Sequence, residues 1–354
     1  MINKFYEYDV IVIGGGLSGS EAASTSARNG SKTLLISINM DSISVLQFGN
    51  IFRWNENRNL FMDLENNGSK VPRIIQKNIL LEIKAKRGSF SELDGCLVVD
   101  RKRFGLGIKT MLEAHENLDT RQAMAADIKR DRNGYVITTS DLLKIRAISV
   151  IVCTGTFLDG RILWGKNIIK AGRQGEIHSM RLYKNLSDKG IIFTRNRSFA
   201  APVISKHKLS KISKHLKTYN PGDAEMYSLP NDGVIRKDEN AGSIFLIPDG
   251  RETEEMHVYG FENNLPEKEQ AESIMDIEGL RKVYMTRPGY EVEYACLSPA
   301  ILKDDFGVKG LKRLYFAGRV AGADSYEKSL LQGFSAGINA NKKAVKNIKA
   351  KRID

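Results

Sequence analysis

Tyr8-Asp9-Val10-Ile11-Val12-Ile13-Gly14-Gly15-Gly16-Leu17-Ser18-Gly19 opens on a β-branched apolar run and closes in a glycine-rich turn. An apolar run of that kind, stopped by glycine, predicts a buried parallel strand. Gly14, Gly16 and Gly19 satisfy G-x-G-x-x-G: the first glycine bends the chain, the second lets a pyrophosphate approach the backbone, and the third lets helix pack on strand. Glu21 to Asn29, rich in Ala and Ser, predicts the helix, and Gly30 stands where it should end. Thr33 to Ser37 then completes a βαβ unit. Phosphate is expected at the helix N-terminus, beside Leu17 and Ser18, where unpaired N–H groups and the positive dipole end converge. One part of the dinucleotide fingerprint is missing. The second strand ends Leu35-Ile36-Ser37-Ile38-Asn39, with no carboxylate where the ribose diol is usually gripped, so Ser37 or Asn39 is left to supply a hydrogen bond.

Further along, Phe104, Leu106, Ile108, Met111 and Leu112 predict a helix ending before Asn117. Alternation over 122–129 and 134–139 predicts an antiparallel hairpin turning at Asp131-Arg132-Asn133-Gly134. Ile148 to Cys153 reads as a strand whose end, Thr154-Gly155-Thr156, should approach a bound cofactor. From about Trp164 to Met285 the pattern is irregular. The segment from Leu314 to Glu327 is a second strand–glycine–helix junction, carrying Gly318, Arg319, Gly322 and Tyr326, and a long helix follows to Ile348. A helix N-terminus there would favour negative charge on a reduced flavin ring. Two such junctions at opposite ends of one chain favour FAD over NAD. The fold expected is α/β, a Rossmann-like FAD-binding domain of the two-dinucleotide-fold type over 1–163 and 286–354, with a smaller α+β domain for substrate or reductant inserted over 164–285.

Bulk properties set the class. The 354 residues, 42% hydrophobic and 27% charged, are those of a soluble globular protein. No stretch reaches the roughly 20 apolar residues of a membrane span, and no signal-peptide core precedes the first strand, so a cytoplasmic location and no membrane partner are expected. Cys96, Cys153 and Cys296 stand far apart without a CxxC pair, and the five histidines show no ligand spacing, so neither disulfides nor a metal are expected. The net charge of +12 suits a polyanion such as RNA, although lysine also serves solubility. Ser205 to Tyr219 reads as an amphipathic helix with a basic outer face. Its Lys211 and Lys214 are candidates for a nucleic-acid backbone, and a solvated surface helix is the competing reading.

Several stretches together carry a family resemblance: Asp9 to Gly16 with Glu21-Ala22-Ala23; Gly155-Thr156-Phe157-Leu158-Asp159-Gly160; Gly172-Arg173-Gln174-Gly175-Glu176; Phe245-Leu246-Ile247-Pro248-Asp249-Gly250; Arg287-Pro288-Gly289-Tyr290 with Glu293-Tyr294; and Phe316-Ala317-Gly318-Arg319 with Gly322, Tyr326-Glu327, Gln332-Gly333 and Ala336-Gly337-Ile338-Asn339-Ala340. In this order they resemble the MnmG (GidA) family, FAD-dependent enzymes that modify the wobble uridine of certain tRNAs. The resemblance implies a non-covalent FAD, NAD(P)H as reductant, and a methylene-linked group installed at uridine C5 with help from methylenetetrahydrofolate and cysteines. Partners expected are tRNA or another RNA and a second copy of the chain.

The pattern departs from the family at its thiols. Phe48 stands where the family's first cysteine would be, and Gly233 to Asn240 has no counterpart of the second. The family's helical C-terminal extension is not found after the last helix, so its partner GTPase is not expected to dock. Cys296 is the best remaining thiol candidate for catalysis, and Cys153 reads as a small core residue. Arg173, Glu176, Arg287 and Tyr290 are expected to line the flavin or substrate cleft, with a salt-bridged domain junction as the alternative. The function expected is FAD-dependent tRNA wobble-uridine modification with altered chemistry. The alternatives are a small-molecule flavin oxidoreductase and a non-catalytic FAD-binding partner protein.

Overall fold

The opening strand, β1 (Tyr6–Ile13), is apolar on both faces because it is covered on both, as an interior parallel strand must be. The chain is described here from a computed structural model covering residues 6–83, 93–205, 217–219, 226–229, 244–277 and 280–351. Helix α1 (Leu17–Arg28) returns the chain to β2 (Thr33–Ser37), which pairs with β1 in parallel, Val10 opposite Thr33. The helix starts at Leu17, a full turn before Glu21, because extended Gly16 (φ −72°, ψ −179°) ends the turn directly into it.

An eight-stranded sheet grows around this pair. On one side β6 (Leu118–Gln122) extends it in parallel from β2; on the other β9 (Lys144–Val152) pairs with β1 along its length. Beyond β9 come β21 (Leu311–Phe316), parallel, and the short antiparallel β20 (Gly307–Val308). The hairpin β7 (Ala125–Arg130) and β8 (Tyr135–Thr139) attaches through β8 to β9. The sequence reading of a strand over 122–129 corresponds to β7 and misses β6. The edge position of β6 leaves Asp119, Arg121 and Gln122 largely solvated, so the strand carries no apolar signature.

Helix α7 (Tyr326–Lys351) crosses α1 at close range. A Cβ on Gly333 would stand 2.2 Å from the Ser18 carbonyl oxygen, and one on Gly337 2.7 Å from that of Ala22. Such contact between backbones brings the two ends of the chain together. On the other flank lie α2 (Arg58–Asn66), α3 (Val71–Lys77), the three-stranded sheet β3 (Ile51–Phe52), β5 (Leu97–Val99) and β4 (Ile79–Glu82), and α4 (Arg101–Glu113). Phe104, Ile108, Met111 and Leu112 of α4 are buried, but Leu106 is 65% exposed. At 3.6 residues per turn it points about 200° away from Phe104.

Two further sheets complete the described structure. One contains β11 (Asn167–Ile169), β10 (Arg161–Trp164), β19 (Tyr290–Leu297) and β12 (Phe193–Ala200). The other runs β14 (Lys217–Tyr219), β15 (Met226–Leu229), β16 (Ile244–Pro248), β17 (Glu255–Tyr259), β13 (Val203–Ser205), β18 (Tyr284–Arg287). Helices α5 (Met180–Asp188) and α6 (Glu267–Met275) pack beside them. The second sheet meets α4 through buried charge. Asp249 accepts from His257 Nε2 at 2.6 Å and lies 2.8 Å from Arg101 Nε, while Asp100 both caps α4 and accepts from the Arg251 N–H at 2.9 Å.

Candidate functional site: a dinucleotide groove and an adjoining cavity

The carboxyl ends of β9, β1 and β2 open into one groove. Its floor is the Gly14–Ser18 turn, and the three fingerprint glycines divide into two kinds. A Cβ on Gly14, whose φ is +112°, would lie 2.3 Å from the Cys153 carbonyl oxygen, and one on Gly19 would lie 1.9 Å from that of Gly14. These two are glycine because the protein's own backbone occupies the space. A Cβ on Gly16 meets no atom within 4 Å, so the protein itself leaves open the room beside it. That room lies at the N-terminus of α1, the position where a dinucleotide fold takes a pyrophosphate.

The second junction borders the same groove. Ser18 Oγ donates to the Ala317 carbonyl at 3.4 Å, and Arg319, Tyr326 and Ser329 line the groove with Gly14, Leu17 and Ser18. Gly318 (φ +83°) and Gly322 (φ +86°) frame a short turn, and the Ser325 hydroxyl accepts from the Lys328 N–H at the start of α7. Thr154, Gly155 and Thr156 form the wall at the end of β9, and Ser37 and Asn39 lie at the end of β2.

Arg173 and Glu176, expected beside flavin or substrate, border this groove too. Their loop is fixed at both ends to the turn after β9: Thr156 Oγ1 donates to the Gly172 carbonyl at 2.6 Å, and the Ser179 N–H to that of Phe157 at 2.7 Å. Tyr290 is buried one layer back, its hydroxyl accepting from Gln47 Nε2 at 3.1 Å, and Gln47 lines the groove. Arg287 lies elsewhere, bound to Glu255 at 3.0 Å and 4.0 Å from Asp249 in the charged junction. Lys211 and Lys214 fall outside the described residues.

Past the second junction the groove adjoins a cavity of about 440 Å³ that shares three of its walls, Phe48, Arg319 and Tyr326, and adds Arg53, Cys96, Tyr259 and Glu327. Sequence reasoning missed it, because its lining comes from four separated segments with no motif between them. The Arg319 guanidinium lies 4.3 Å over the centre of the Phe48 ring and donates to Ser198 Oγ at 2.7 Å. The Tyr326 hydroxyl donates to the Gly49 carbonyl and accepts from the Phe48 N–H, both at 3.0 Å, and burial pushes its pKa up to about 12. It therefore fixes the loop that carries Phe48.

All three thiols are buried and disfavour the thiolate. Burial pushes Cys96 up to about 11 and Cys153 up to about 12. Cys296 is raised by burial as well, with its Sγ 3.6 Å from the Arg319 carbonyl oxygen. Among the described residues no three His, Cys, Asp or Glu side chains converge as a metal site, and no helix is long and apolar enough to cross a membrane.

A family model described as glucose inhibited division protein A matches residues 9–226 and 226–348. The chain is 30% identical over 392 residues to the tRNA uridine 5-carboxymethylaminomethyl modification enzyme MnmG of Caldicellulosiruptor saccharolyticus, covering 94% of this chain and 62% of that protein. It thus spans less than two thirds of the relative's length. Among solved structures, GidA of Aquifex aeolicus in its form II crystal superposes with a TM-score of 0.86 at 26% identity, over 96% of this chain and 64% of that one. A geranylgeranyl bacteriochlorophyll reductase-like protein of Thermoplasma acidophilum shares the fold at 16% identity and a TM-score of 0.53, covering 98% of this chain and 84% of that one.

Proposed function

The chain belongs to the glucose inhibited division protein A (GidA) family, and on that premise we propose that it is an FAD-dependent enzyme acting on the wobble uridine of tRNA. The observation that carries this reading is the meeting of both glycine junctions at one groove, in a chain that matches the family model along nearly its whole length. FAD is the cofactor that groove suits: the Gly14–Ser18 turn would hold the pyrophosphate, and Arg319 and Tyr326 would line the end of the groove toward the ring. Bound there, FAD supplies two-electron hydride chemistry.

The chain's own residues do the positioning. Backbone N–H groups at the start of α1 would take the pyrophosphate, and the N-terminal end of α7 would favour negative charge on the ring. Phe48, Arg319 and Tyr326 form the boundary across which the reacting base would face the flavin. NAD(P)H is the proposed reductant, and residues 164–285 are proposed to form the substrate or reductant unit. Thiolate chemistry is not part of the proposal, since all three thiols are buried and burial raises the pKa of each.

The deciding experiment is nucleoside mass mapping of tRNA from cells lacking the protein. The expected result is loss of a 5-substituent on the wobble uridine, restored by the wild-type gene; an unchanged tRNA nucleoside profile overturns the reading. Binding of tRNA should weaken steeply with salt, and Lys211→Glu with Lys214→Glu should flatten that slope. The alternative reading is a small-molecule flavin oxidoreductase. It would bleach with NAD(P)H and reoxidise with an acceptor while tRNA stayed unmodified.

A further inference from the structure

We propose that Glu176 is the carboxylate that holds the adenosine ribose of the cofactor, replacing from another loop the acidic residue missing from the end of β2. The inference rests on FAD being the ligand of the groove. A dinucleotide fold ordinarily places that acid about 20 residues after the glycine turn, where it accepts from the ribose hydroxyls.

Here the local candidates are neutral side chains that already carry local hydrogen bonds. Ser37 Oγ donates to the Asn39 carbonyl at 3.0 Å, and Asn39 Oδ1 accepts from the Asp41 N–H at 2.9 Å. Asp41 itself is 92% exposed and pairs with Lys109 on the outer surface.

Glu176 reaches the same place from across the groove. Its loop is tied to the end of β9, yet its carboxylate accepts from Ser42 Oγ at 2.9 Å, five residues beyond Ser37. The contact spans the mouth of the groove between the two strands that flank β1. Both donors that reach this carboxylate, Ser42 Oγ and Arg173 Nη2, bind the same oxygen, Oε1. Oε2 is buried, with no hydrogen-bond partner among the described residues, in a side chain that lines the groove. A carboxylate oxygen out of water and without a donor is costly, and a carboxylate can only accept. A ribose diol brings the two O–H donors such an oxygen lacks. Arg173 holds the side chain in place, so the loop acts as a strap across the mouth of the groove.

The test compares FAD with an analogue carrying 2′-deoxyadenosine, titrated into deflavinated protein by flavin fluorescence, with thermal melting as the check on folding. Wild type should prefer FAD by about 10- to 100-fold, the range for a hydrogen bond to a charged group. Glu176→Gln should lose most of that preference while the analogue's affinity changes by less than about threefold. Ser42→Ala, which removes one support of the carboxylate, should lose part of it, and this keeps the proposal open to refutation if the glutamine variant folds poorly. Equal weakening toward FAD and the analogue would assign the carboxylate to the flavin's ribityl chain or to a structural role, and overturn the proposal. Wild type that binds FAD without preference would overturn it while leaving the cofactor reading intact; wild type that binds no FAD removes both.

Discussion

The two ends of the groove are built from different material. At the Gly14–Gly19 end the ligand seat is backbone, held by contacts in which a carbonyl oxygen occupies the space of an absent Cβ. At the far end the boundary is made of side chains, Phe48, Arg319 and Tyr326, brought from segments nearly 280 residues apart and fixed by a few hydrogen bonds and one ring stack. Backbone geometry tolerates change at every position except the glycines themselves. A side-chain wall can be rewritten by one substitution. Cofactor binding and reaction chemistry can therefore diverge separately within one scaffold.

Substitutions inside the glycine turn test this contrast most severely. Gly14→Val and Gly19→Val drive a side chain into backbone at 2.3 and 1.9 Å, so each should cost more than about 4 kcal/mol and leave little folded protein by circular dichroism. Gly16→Val meets only open space. Its apo form should melt within about 1 kcal/mol of wild type, yet purify colourless. A yellow Gly16→Val protein would mean that the turn is not the pyrophosphate seat.

Behind the side-chain end lies an ionic junction, tied to the Phe48 loop where Asn50 Nδ2 donates to the Pro248 carbonyl at 2.8 Å, and there the expected losses are smaller. Asp249→Asn removes the partner of buried His257 and Arg101 and should cost about 3–5 kcal/mol in urea unfolding. The junction also gives the two ends different responses to acid. Burial holds His257 below its ordinary value of 6.5, and bonds from His257 and Arg101 outweigh burial to hold Asp249 well below the usual carboxylate range. Both folded values are depressed, so the stability they contribute is present above the unfolded values and is lost as pH falls: below about 6.5 for the histidine, and below about 4 for the aspartate. Hydrogen exchange should therefore rise over residues 245–259 as pH drops from 7 to 5, once corrected for intrinsic rate, while residues 10–27 stay protected. Uniform protection would show that the far end is as firmly built as the near one.

This division also explains what could be read from the sequence. The βαβ unit, the hairpin at 131–134 and the second junction were legible because glycine spacing and apolar period are local signals. The edge strand β6 was not, because solvation removed its apolar pattern. Arg287 and Glu176 could be named as charged groups near a cleft but not sorted between ion pair and groove. Only the meeting of β18 with Glu255 and Asp249, and of the 172–179 loop with Ser42, separates them. The cavity beyond Phe48 left no sequence signal, since Phe48, Cys96, Tyr259 and Arg319 meet only in three dimensions.

Tyr326→Phe probes the hydrogen bonds of the side-chain wall alone. Losing the hydroxyl leaves the Phe48 N–H and the Gly49 carbonyl without that partner, at a cost of about 1–3 kcal/mol, while FAD should remain bound because the glycine seat is untouched. A variant that loses FAD would show that Tyr326 holds the cofactor directly.

Phe48→Leu should have the smallest effect on stability and draws the contrast most finely. The Phe48 ring is half-buried and its specific attraction is to Arg319, worth about 0.5–1 kcal/mol at a site open to solvent. The melting temperature should therefore move little, and FAD affinity less. Arg319 keeps its bond to Ser198 but loses the ring that confines it from the other side. Its guanidinium can then swing toward the adjoining cavity, and whatever reacts with the flavin from that side should feel the change. Anaerobic flavin reduction followed by stopped flow is the measurement: the rate or reductant affinity should shift by several-fold in a variant whose flavin content matches wild type. If both are unchanged, Phe48 is packing alone and the wall between groove and cavity lies elsewhere.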